Sequence, residues 1–368
     1  MKKRTLAGLL SMVMVMSVLA GCGSKGEAAD ANQAVENMST ETANAQANTE
    51  AEVTEAEQDV VADAQSEEFV LEYPAHMQAE GYIEPVVLDA YPETIVTLST
   101  YPVLTLLEMD VKMAAVPSTK VIEYPENYDA VILPGMMSEQ FDMEQVVALE
   151  PDLVFVPSSV REMYEPMFEA AEIPVYYVAM NSATVDVYSL IKEQTQAIVD
   201  AFSVDEASAE KGAAVMAQFE TVEARFDEIA ALMDGKSAFA LTVAGESSFY
   251  LNTESSTLGC MLSLCGLENV CESDDSASMG HSMGELDMET AISYDPDVMF
   301  ITGSGTLEEN VALMEAAYAL NPEYWDSIEA YKNGDVFYLP SSYVSTAGIN
   351  IITNLNNLMD MMEEKYGA

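Results

Sequence analysis

The sequence predicts an α/β protein with two similar lobes, each built around a parallel sheet, joined by one long bridging helix. Two observations support this fold class. A segment of 15 residues recurs 145 residues further along the chain, and short β-rich runs alternate with helical stretches around both copies. Parallel strands require such crossover connections, and an internal duplication of this size indicates two related α/β units.

The repeat aligns residues 142–156 with residues 287–301 without a gap, and six of the 15 positions are identical. Each copy begins with Asp-Met-Glu and carries Pro-Asp before an apolar run. An aspartate at this position can cap the first turn of a helix. Asp142 and Asp287 therefore predict, in each lobe, a helix followed by a buried strand.

The remaining strands are predicted from short β-rich runs bounded by Pro, Gly or Ser. They are 94–100, 112–117, 153–157 and 175–180 in the first lobe (69–200), and 237–243, 298–303 and 336–340 in the second (236–368). Open parallel sheets bind ligands at the carboxyl ends of their strands, so the loops after these strands are the candidate ligand loops.

Residues 201–235 are predicted to bridge the lobes. The stretch 205–233 has no proline, and its apolar residues recur three or four positions apart, as in an amphipathic helix. At ~1.5 Å per residue, one continuous helix would be about 43 Å long. Such a helix makes a stiff hinge, so we expect small tilts of the lobes rather than a large closure.

Composition excludes several classes of function. The chain has 368 residues, and 63 Asp and Glu against 13 Lys and Arg give a formal net charge of −50, which excludes nucleic-acid binding. Its two histidines, His76 and His281, argue against zinc or manganese sites built from several imidazoles. No phosphate loop or nucleophile motif occurs, so the protein is not predicted to be an enzyme.

The first 21 residues are predicted to be a signal peptide. Three basic residues precede an apolar run over 6–19, which is shorter than the ~20 residues that cross a bilayer. The run ends in Leu-Ala-Gly-Cys, which resembles a bacterial lipobox. The resemblance implies cleavage before Cys22 and a lipid on Cys22 that anchors the protein outside the cytoplasmic membrane. The alternative is an ordinary signal peptide with Cys22 as a bystander.

Residues 22–68 are predicted to be a disordered acidic linker. From residue 23 to residue 68 the chain has 12 Asp and Glu, one Lys and no aromatic residue. Such a segment buries too little apolar surface to offset its ordering entropy. It therefore serves as a tether between lipid and folded domain.

Five segments beyond the tether carry a family resemblance. They are the repeat copies at 142–156 and 287–301, the bridging helix, 248–270, and Trp-Asp-Ser-Ile-Glu-Ala-Tyr-Lys-Asn-Gly-Asp-Val-Phe-Tyr-Leu-Pro at 325–340. In this order, behind a lipobox, they resemble the substrate-binding lipoproteins of ABC importers for iron–siderophore complexes, heme and cobalamin. The resemblance covers roughly residues 92–362.

The resemblance implies a receptor that has no intrinsic cofactor and holds a metal chelate in a shallow cleft between its lobes. The implied partner is an ABC permease dimer with its ATPase. Heme is the favoured transported ligand and a ferric siderophore is the next. A cobalamin receptor of the same fold, or a lipid-anchored sensor or adhesin without transport, are the alternatives.

The loops before the two repeat helices carry the candidate metal ligands. The offset of 145 places Met136 opposite His281 and Ser138 opposite Met283. A Met and a His, one from each lobe, suit the two axial positions of heme iron, so Met136 or Met137 with His281 is the predicted pair. In the alternative interpretation the methionines line an adaptable apolar pocket and His281 is only hydrogen-bonded.

Other loop residues are candidates for contacts with the organic part of a chelate. Tyr101, Tyr250 and Tyr343 could stack on a planar ligand, although core packing is the alternative. Lys120 and Arg161 could pair with carboxylates. The scarcity of such cations argues against a triply anionic catecholate complex.

Glu144 and Glu289 hold matched positions in the repeat. The resemblance implies that they form salt bridges with arginines of the two permease subunits. The alternative is local, because the first turn of a helix favours a carboxylate. Cys260, Cys265 and Cys271 match no zinc spacing, and any disulfide pairing is left open. Cys260 and Cys265 are predicted to be small core residues on an apolar helix.

Overall fold

The first lobe contains a five-stranded sheet in which every strand pairs in parallel, in the order β5-β4-β3-β6-β7. Its strands are β3 (Ile95–Thr97), β4 (Ala115–Pro117), β5 (Val131–Leu133), β6 (Leu153–Pro157) and β7 (Val175–Val178). Four of them confirm predicted strands. The sequence missed β5 because it is a three-residue edge strand whose first two side chains are exposed, so it has no core-facing pattern.

The second lobe contains a six-stranded sheet. Its strands are β8 (Ser237–Gly245), β9 (Ser248–Asn252), β10 (Glu268–Asn269), β11 (Met283–Glu285), β12 (Val298–Gly303) and β13 (Val336–Tyr338). The parallel strands β8, β12 and β13 confirm the prediction, and β10 also pairs in parallel with β8. The sheet is extended by antiparallel β9 and β11, which the sequence did not predict.

A computed structural model describes residues 68–271, 283–285 and 292–367, the three residues 283–285 as backbone only. The described residues belong to one compact unit. No helix within the described ranges is both long and apolar enough to cross a membrane. The predicted signal peptide, the predicted linker up to residue 67, His281, Asp287 and Glu289 lie outside the described residues.

Helices cover the faces of both sheets. They are α1 (Ala75–Ala79), α2 (Val103–Glu108), α3 (Met143–Val147), α4 (Arg161–Ala170), α5 (Val187–Phe202), α6 (Glu206–Glu223), α7 (Phe226–Met233), α8 (Thr257–Leu264), α9 (Leu307–Leu320), α10 (Pro322–Trp325), α11 (Glu329–Asn333) and α12 (Asn350–Tyr366).

The repeat has a common structural role in the two lobes. Asp142 caps α3 by accepting a hydrogen bond from the Glu144 amide at 2.9 Å, as predicted. The aspartate of each Pro-Asp accepts a backbone amide at the start of the neighbouring strand. Asp152 accepts the Thr94 amide at 2.7 Å, and Asp297 accepts the Ser237 amide at 2.8 Å. These bonds fix the amino ends of β3 and β8, the central strands of the two sheets.

The bridging stretch differs from the prediction of one continuous helix, because it forms the two helices α6 and α7. At the break, the Arg225 amide bonds the Val222 carbonyl at 3.1 Å, a tight 3₁₀-type turn. The Arg225 guanidinium leaves the bridge there and donates to Asn356 at 2.9 Å and Asp360 at 2.6 Å on α12. Helix α12 therefore braces the bridge at its bend.

A small N-terminal unit, β1 (Phe69–Leu71), α1 and β2 (Val86–Leu88), covers edge strand β7. The Tyr73 ring stacks on Tyr176 at 4.4 Å, and the Tyr73 hydroxyl accepts the Tyr177 amide at 2.9 Å. Buried His76 contacts Glu193 of α5 through Nδ1 at 2.7 Å. These contacts protect a strand edge that would otherwise expose unpaired backbone groups.

Candidate functional site

The loops at the carboxyl ends of the parallel strands meet between the lobes. In the first lobe they are 98–102, 118–124, 134–140, 158–160 and 179–184, and in the second 246–247, 304–306 and 339–349. Two features place these loop sets against each other. Gly348 lies directly against the Tyr101 backbone, and the charge of Lys120 contributes to lowering the pKa of Glu309, after the larger effect of hydrogen bonds from Thr306.

Three buried amide side chains hold these loops. Gln194 on α5 accepts the Ala179 amide at 2.8 Å and donates to the Ala179 carbonyl at 3.0 Å. Asn310 on α9 accepts the Gly305 amide at 3.2 Å and donates to the Leu339 carbonyl at 2.8 Å. Asn354 on α12 donates to the Ser342 carbonyl at 2.7 Å. Each amide satisfies backbone groups that leave a strand, so the loops are preorganised from below.

These amides were not predicted from the sequence, because an isolated Asn or Gln on a helix resembles a surface residue. A signal was present on α5, where Gln194 shares a helical stripe with the buried apolar residues Leu190, Ile191 and Ile198. A polar residue on such a stripe needs internal partners.

We expect Asn310→Ala to lower the free energy of unfolding by about 1–3 kcal/mol, because it leaves the Gly305 amide and the Leu339 carbonyl without their partner. Chemical denaturation measures the loss, and hydrogen exchange at the Gly305 amide should accelerate. Asn333→Ala, at an exposed position, is the control and should change stability by less than about 0.5 kcal/mol. Unchanged exchange at Gly305 would contradict this role.

Two of the predicted aromatic contacts are core residues. Tyr101 is 7% exposed and donates to the Met180 carbonyl at 3.4 Å, and Tyr343 is 3% exposed in a 3₁₀ turn (Ser341–Tyr343). Burial raises the pKa of both phenols. Neither ring offers a face to a ligand in this conformation, whereas Tyr250 on β9 is half-buried.

The structure separates the two adjacent methionines. Met136 is 6% exposed, and its carbonyl accepts the Tyr164 hydroxyl at 2.9 Å. Met137 is 77% exposed, so it is the one whose thioether is accessible to a ligand. Their predicted partner His281 lies outside the described residues, and Met283 is described only as backbone in β11, where it pairs with Asn252.

Arg161 and Lys120 differ in how they are engaged. Arg161 forms an ion pair with Glu165 at 2.7 Å, and its guanidinium lies 4.8 Å from the centroid of Tyr82 and 5.1 Å from that of Tyr177. The hydrogen bond to Glu165 raises the pKa of Arg161 above its usual value. Lys120 is exposed on the loop after β4.

Glu144 lies in the exposed first turn of α3, on the rim of a groove between α3 and α4. The groove has a volume of about 570 Å³, and Glu144 is its one charged lining residue among those described. Its apolar lining is Met143, Val147, Ala148, Pro166, Met167 and Ala170. Val147 and Met167 are 40% and 46% exposed, so this face presents apolar surface beside a carboxylate.

The three cysteines among the described residues are buried free thiols, as predicted for Cys260 and Cys265. Burial raises the pKa of Cys260 and Cys265 to about 12 and that of Cys271 to about 11, so they remain protonated and unreactive at neutral pH. Across the described residues, no group of three or more His, Cys, Asp or Glu side chains forms a metal-binding cluster.

Comparisons with known proteins find similar sequences and a similar fold. The chain is 24% identical over 272 residues to a cobalamin-binding protein of Halobacterium salinarum, covering 73% of this chain and 68% of that one. It is 23% identical over 294 residues to the ferric-anguibactin-binding protein FatB of Vibrio anguillarum, covering 78% and 86%. The solved structure of Staphylococcus aureus IsdE complexed with heme has the same fold, with a TM-score of 0.57 and 19% identity over 73% of this chain and 98% of that one.

A family model described as periplasmic binding protein matches residues 95–343, from β3 to the 3₁₀ turn beyond β13. The match therefore spans both sheets, the bridge and the loops that meet between the lobes as far as residue 343. It covers more than half of the chain, and the chain belongs to the periplasmic binding protein family.

Proposed function

We propose that this protein is an extracytoplasmic receptor that captures a metal chelate between its two lobes and delivers it to an ABC importer permease. The observation that carries this proposal is the meeting of the two sets of carboxyl-end loops, each held from below by buried amides. Rigid, preorganised loops bind a small ligand without a large ordering cost. Membership of a family of ligand-binding proteins supports the same reading.

A lipid on Cys22 is the proposed anchor. A tethered receptor stays close to the membrane, where a permease partner would be found. The acidic segment 22–68 would give it reach, because like charges extend a polar linker.

Heme is the first ligand proposed, with Met137 and His281 as axial ligands. The exposure of Met137 supports it in preference to buried Met136, and thioether–imidazole ligation of heme iron is established chemistry. A ferric siderophore is the second candidate and cobalamin the third, supported by relatives named for ferric anguibactin and cobalamin.

A hemin titration followed by visible absorption tests whether heme is the ligand. We expect a sharpened Soret band that saturates at one equivalent, and a shifted band in Met137→Ala and in His281→Ala because each removes an iron ligand. Met163→Ala, 59% exposed on α4, is the methionine control and should leave the spectrum unchanged. An unchanged hemin spectrum with wild-type protein would reject heme and leave ferric siderophores and cobalamin to be tested by the same titration.

Glu144 and Glu289 are proposed to dock the receptor on the two permease subunits. An exposed carboxylate beside apolar surface suits a partner segment with a basic residue next to apolar ones. The repeat supplies one such glutamate in each half of the chain.

A further inference from the structure

We infer that the cleft of this receptor selects against negative charge on its ligand, so that within one chelate scaffold the neutral or cationic form binds more tightly than the anionic form, and polyanionic chelates are rejected. This inference rests on the proposed function and narrows its class of ligand. It depends on where the cationic side chains of the folded region lie and what they already bind.

All cationic side chains beyond residue 67 can be located. They are Lys112, Lys120, Arg161, Lys192, Lys211, Arg225, Lys236, Lys332 and Lys365. Every one falls within the described residues, and segments 272–282 and 286–291 contain no Lys or Arg in the sequence. No other Lys or Arg side chain of the folded region can therefore contribute positive charge to the cleft. The remaining source would be protonation of His281.

Four of these cations are bound on helices outside the cleft loops. Their ion pairs are Lys192–Glu223 at 2.5 Å, Lys211–Asp110 at 2.7 Å, Arg225–Asp360 at 2.6 Å and Lys365–Asp335 at 3.4 Å. They brace the bridge and α12. None of them belongs to a loop that follows a parallel strand.

Three more lie at the opposite edges of the sheets. Lys112 precedes β4, Lys236 precedes β8, and Lys332 lies on α11, which ends just before β13. These are the amino ends of the strands, whereas the ligand loops lie at the carboxyl ends. Only Lys120 and Arg161 remain at the ligand edge among the cations of the described residues.

Each of these two cations already lies near a carboxylate that a ligand anion would have to compete with. Both Nε and Nη2 of Arg161 contact the Glu165 carboxylate, at 2.8 and 2.7 Å, and the guanidinium lies over Tyr82 and Tyr177. A ligand carboxylate would have to displace this ion pair. Lys120 lies near Glu309, whose carboxylate is fixed by the Thr306 amide at 2.8 Å.

The same loops and the start of α9 carry exposed carboxylates. They are Glu123, Glu139, Glu246, Glu308 and Glu309. Surface charges act over a Debye length of about 8 Å at physiological ionic strength, so those around a cleft repel an anion that enters it. A catecholate complex with three negative charges would meet this field with at most one lysine to oppose it.

The experiment measures affinities of the full chain for pairs of chelates that share one scaffold and differ in charge. The pairs are a ferric trihydroxamate with its terminal ammonium free or succinylated, cyanocobalamin or its monocarboxylate, and the diamide or the free diacid of hemin. A ferric tris-catecholate is the polyanionic probe. In whichever scaffold binds, we expect about three- to tenfold weaker binding for each negative charge added, and a smaller difference at high salt.

Two variants test whether charges beside the cleft cause the weaker binding of anionic chelates. Glu309→Gln keeps the capping geometry of α9, since Gln can replace Glu at that position, and should reduce the penalty on the anionic member of the pair. Glu315→Gln, exposed further along the same helix, is the matched control and should leave the penalty unchanged.

The possible outcomes distinguish failure of the charge inference from failure of the proposed chelate binding. Tightest binding of the tris-catecholate, or equal affinity within the pair that binds, would overturn the charge inference and leave chelate capture standing. Binding of no scaffold at any charge would overturn chelate capture and the inference with it.

Discussion

Replacing Glu144 and Glu289 together by alanine is expected to abolish uptake of the chelate while leaving the affinity of the receptor for it unchanged. Glu144 is exposed in the first turn of α3, and its side chain holds no ligand loop. Removing it therefore takes away a charge that a partner can reach, without disturbing the cleft. The loss of a helix-dipole interaction costs about 0.3–1 kcal/mol, too little to unfold the protein.

Uptake by cells and affinity of the purified receptor must be measured in the same variants. Each single variant should reduce uptake in part, because the other lobe still docks. Glu206→Ala is the matched control, since Glu206 is also exposed in the first turn of a helix but has no repeat partner and lies outside the lining of the groove between α3 and α4. Normal uptake in the double variant would refute docking through these glutamates.

The apolar groove beside Glu144 allows a second test of docking. Met167→Glu would place a charge in the apolar lining without touching the carboxylate. If the permease covers the groove, that variant should impair uptake as the loss of Glu144 does, because an interface core excludes unpaired charge. If only the glutamate variants lose uptake, docking depends on the two carboxylates and not on the apolar groove.

Strands β6 and β12 were predictable because two independent signals coincide there. Strand β6 is apolar throughout and β12 is buried along its whole length, and each follows the Pro-Asp pair of the repeat, whose aspartate bonds the start of the neighbouring strand. Strand β9 lacked such agreement. Its residues matched a family segment, but no crossover helix separates it from β8, so a search for parallel units passed over it.

The site was less predictable than the sheets because a loop position does not determine where a side chain points. Tyr101 and Tyr250 both lie at predicted ligand loops, yet one is core and the other half-buried. Adjacent Met136 and Met137 have opposite exposures for the same reason. Arg225, at the break in the bridge, donates to Asp360, 135 residues away, and no local pattern contains that contact.

The largest stability effect is expected at the contact between the lobes. Gly348 has φ of +63°, and a Cβ built on it would lie 2.1 Å from the Tyr101 carbonyl oxygen and 3.0 Å from its carbon. Both atoms belong to the backbone, just before α2, and cannot rotate away as a side chain can. The Tyr101 ring is itself buried, which further fixes this segment.

Gly348→Ala should therefore lower the free energy of unfolding by about 2–5 kcal/mol, the sum of left-handed strain and overpacking. Gly334→Ala isolates the left-handed strain, because Gly334 has φ of +76° and a Cβ built on it has no atom within 4 Å. This variant should lower the free energy of unfolding by only about 1–2 kcal/mol. Chelate affinity should fall in Gly348→Ala alone, since only there are the loops of one lobe pushed away from the other. Equal stability and equal affinity in the two variants would mean that the lobes do not depend on this contact, and the cleft would then have to be held together by the bridge and α12.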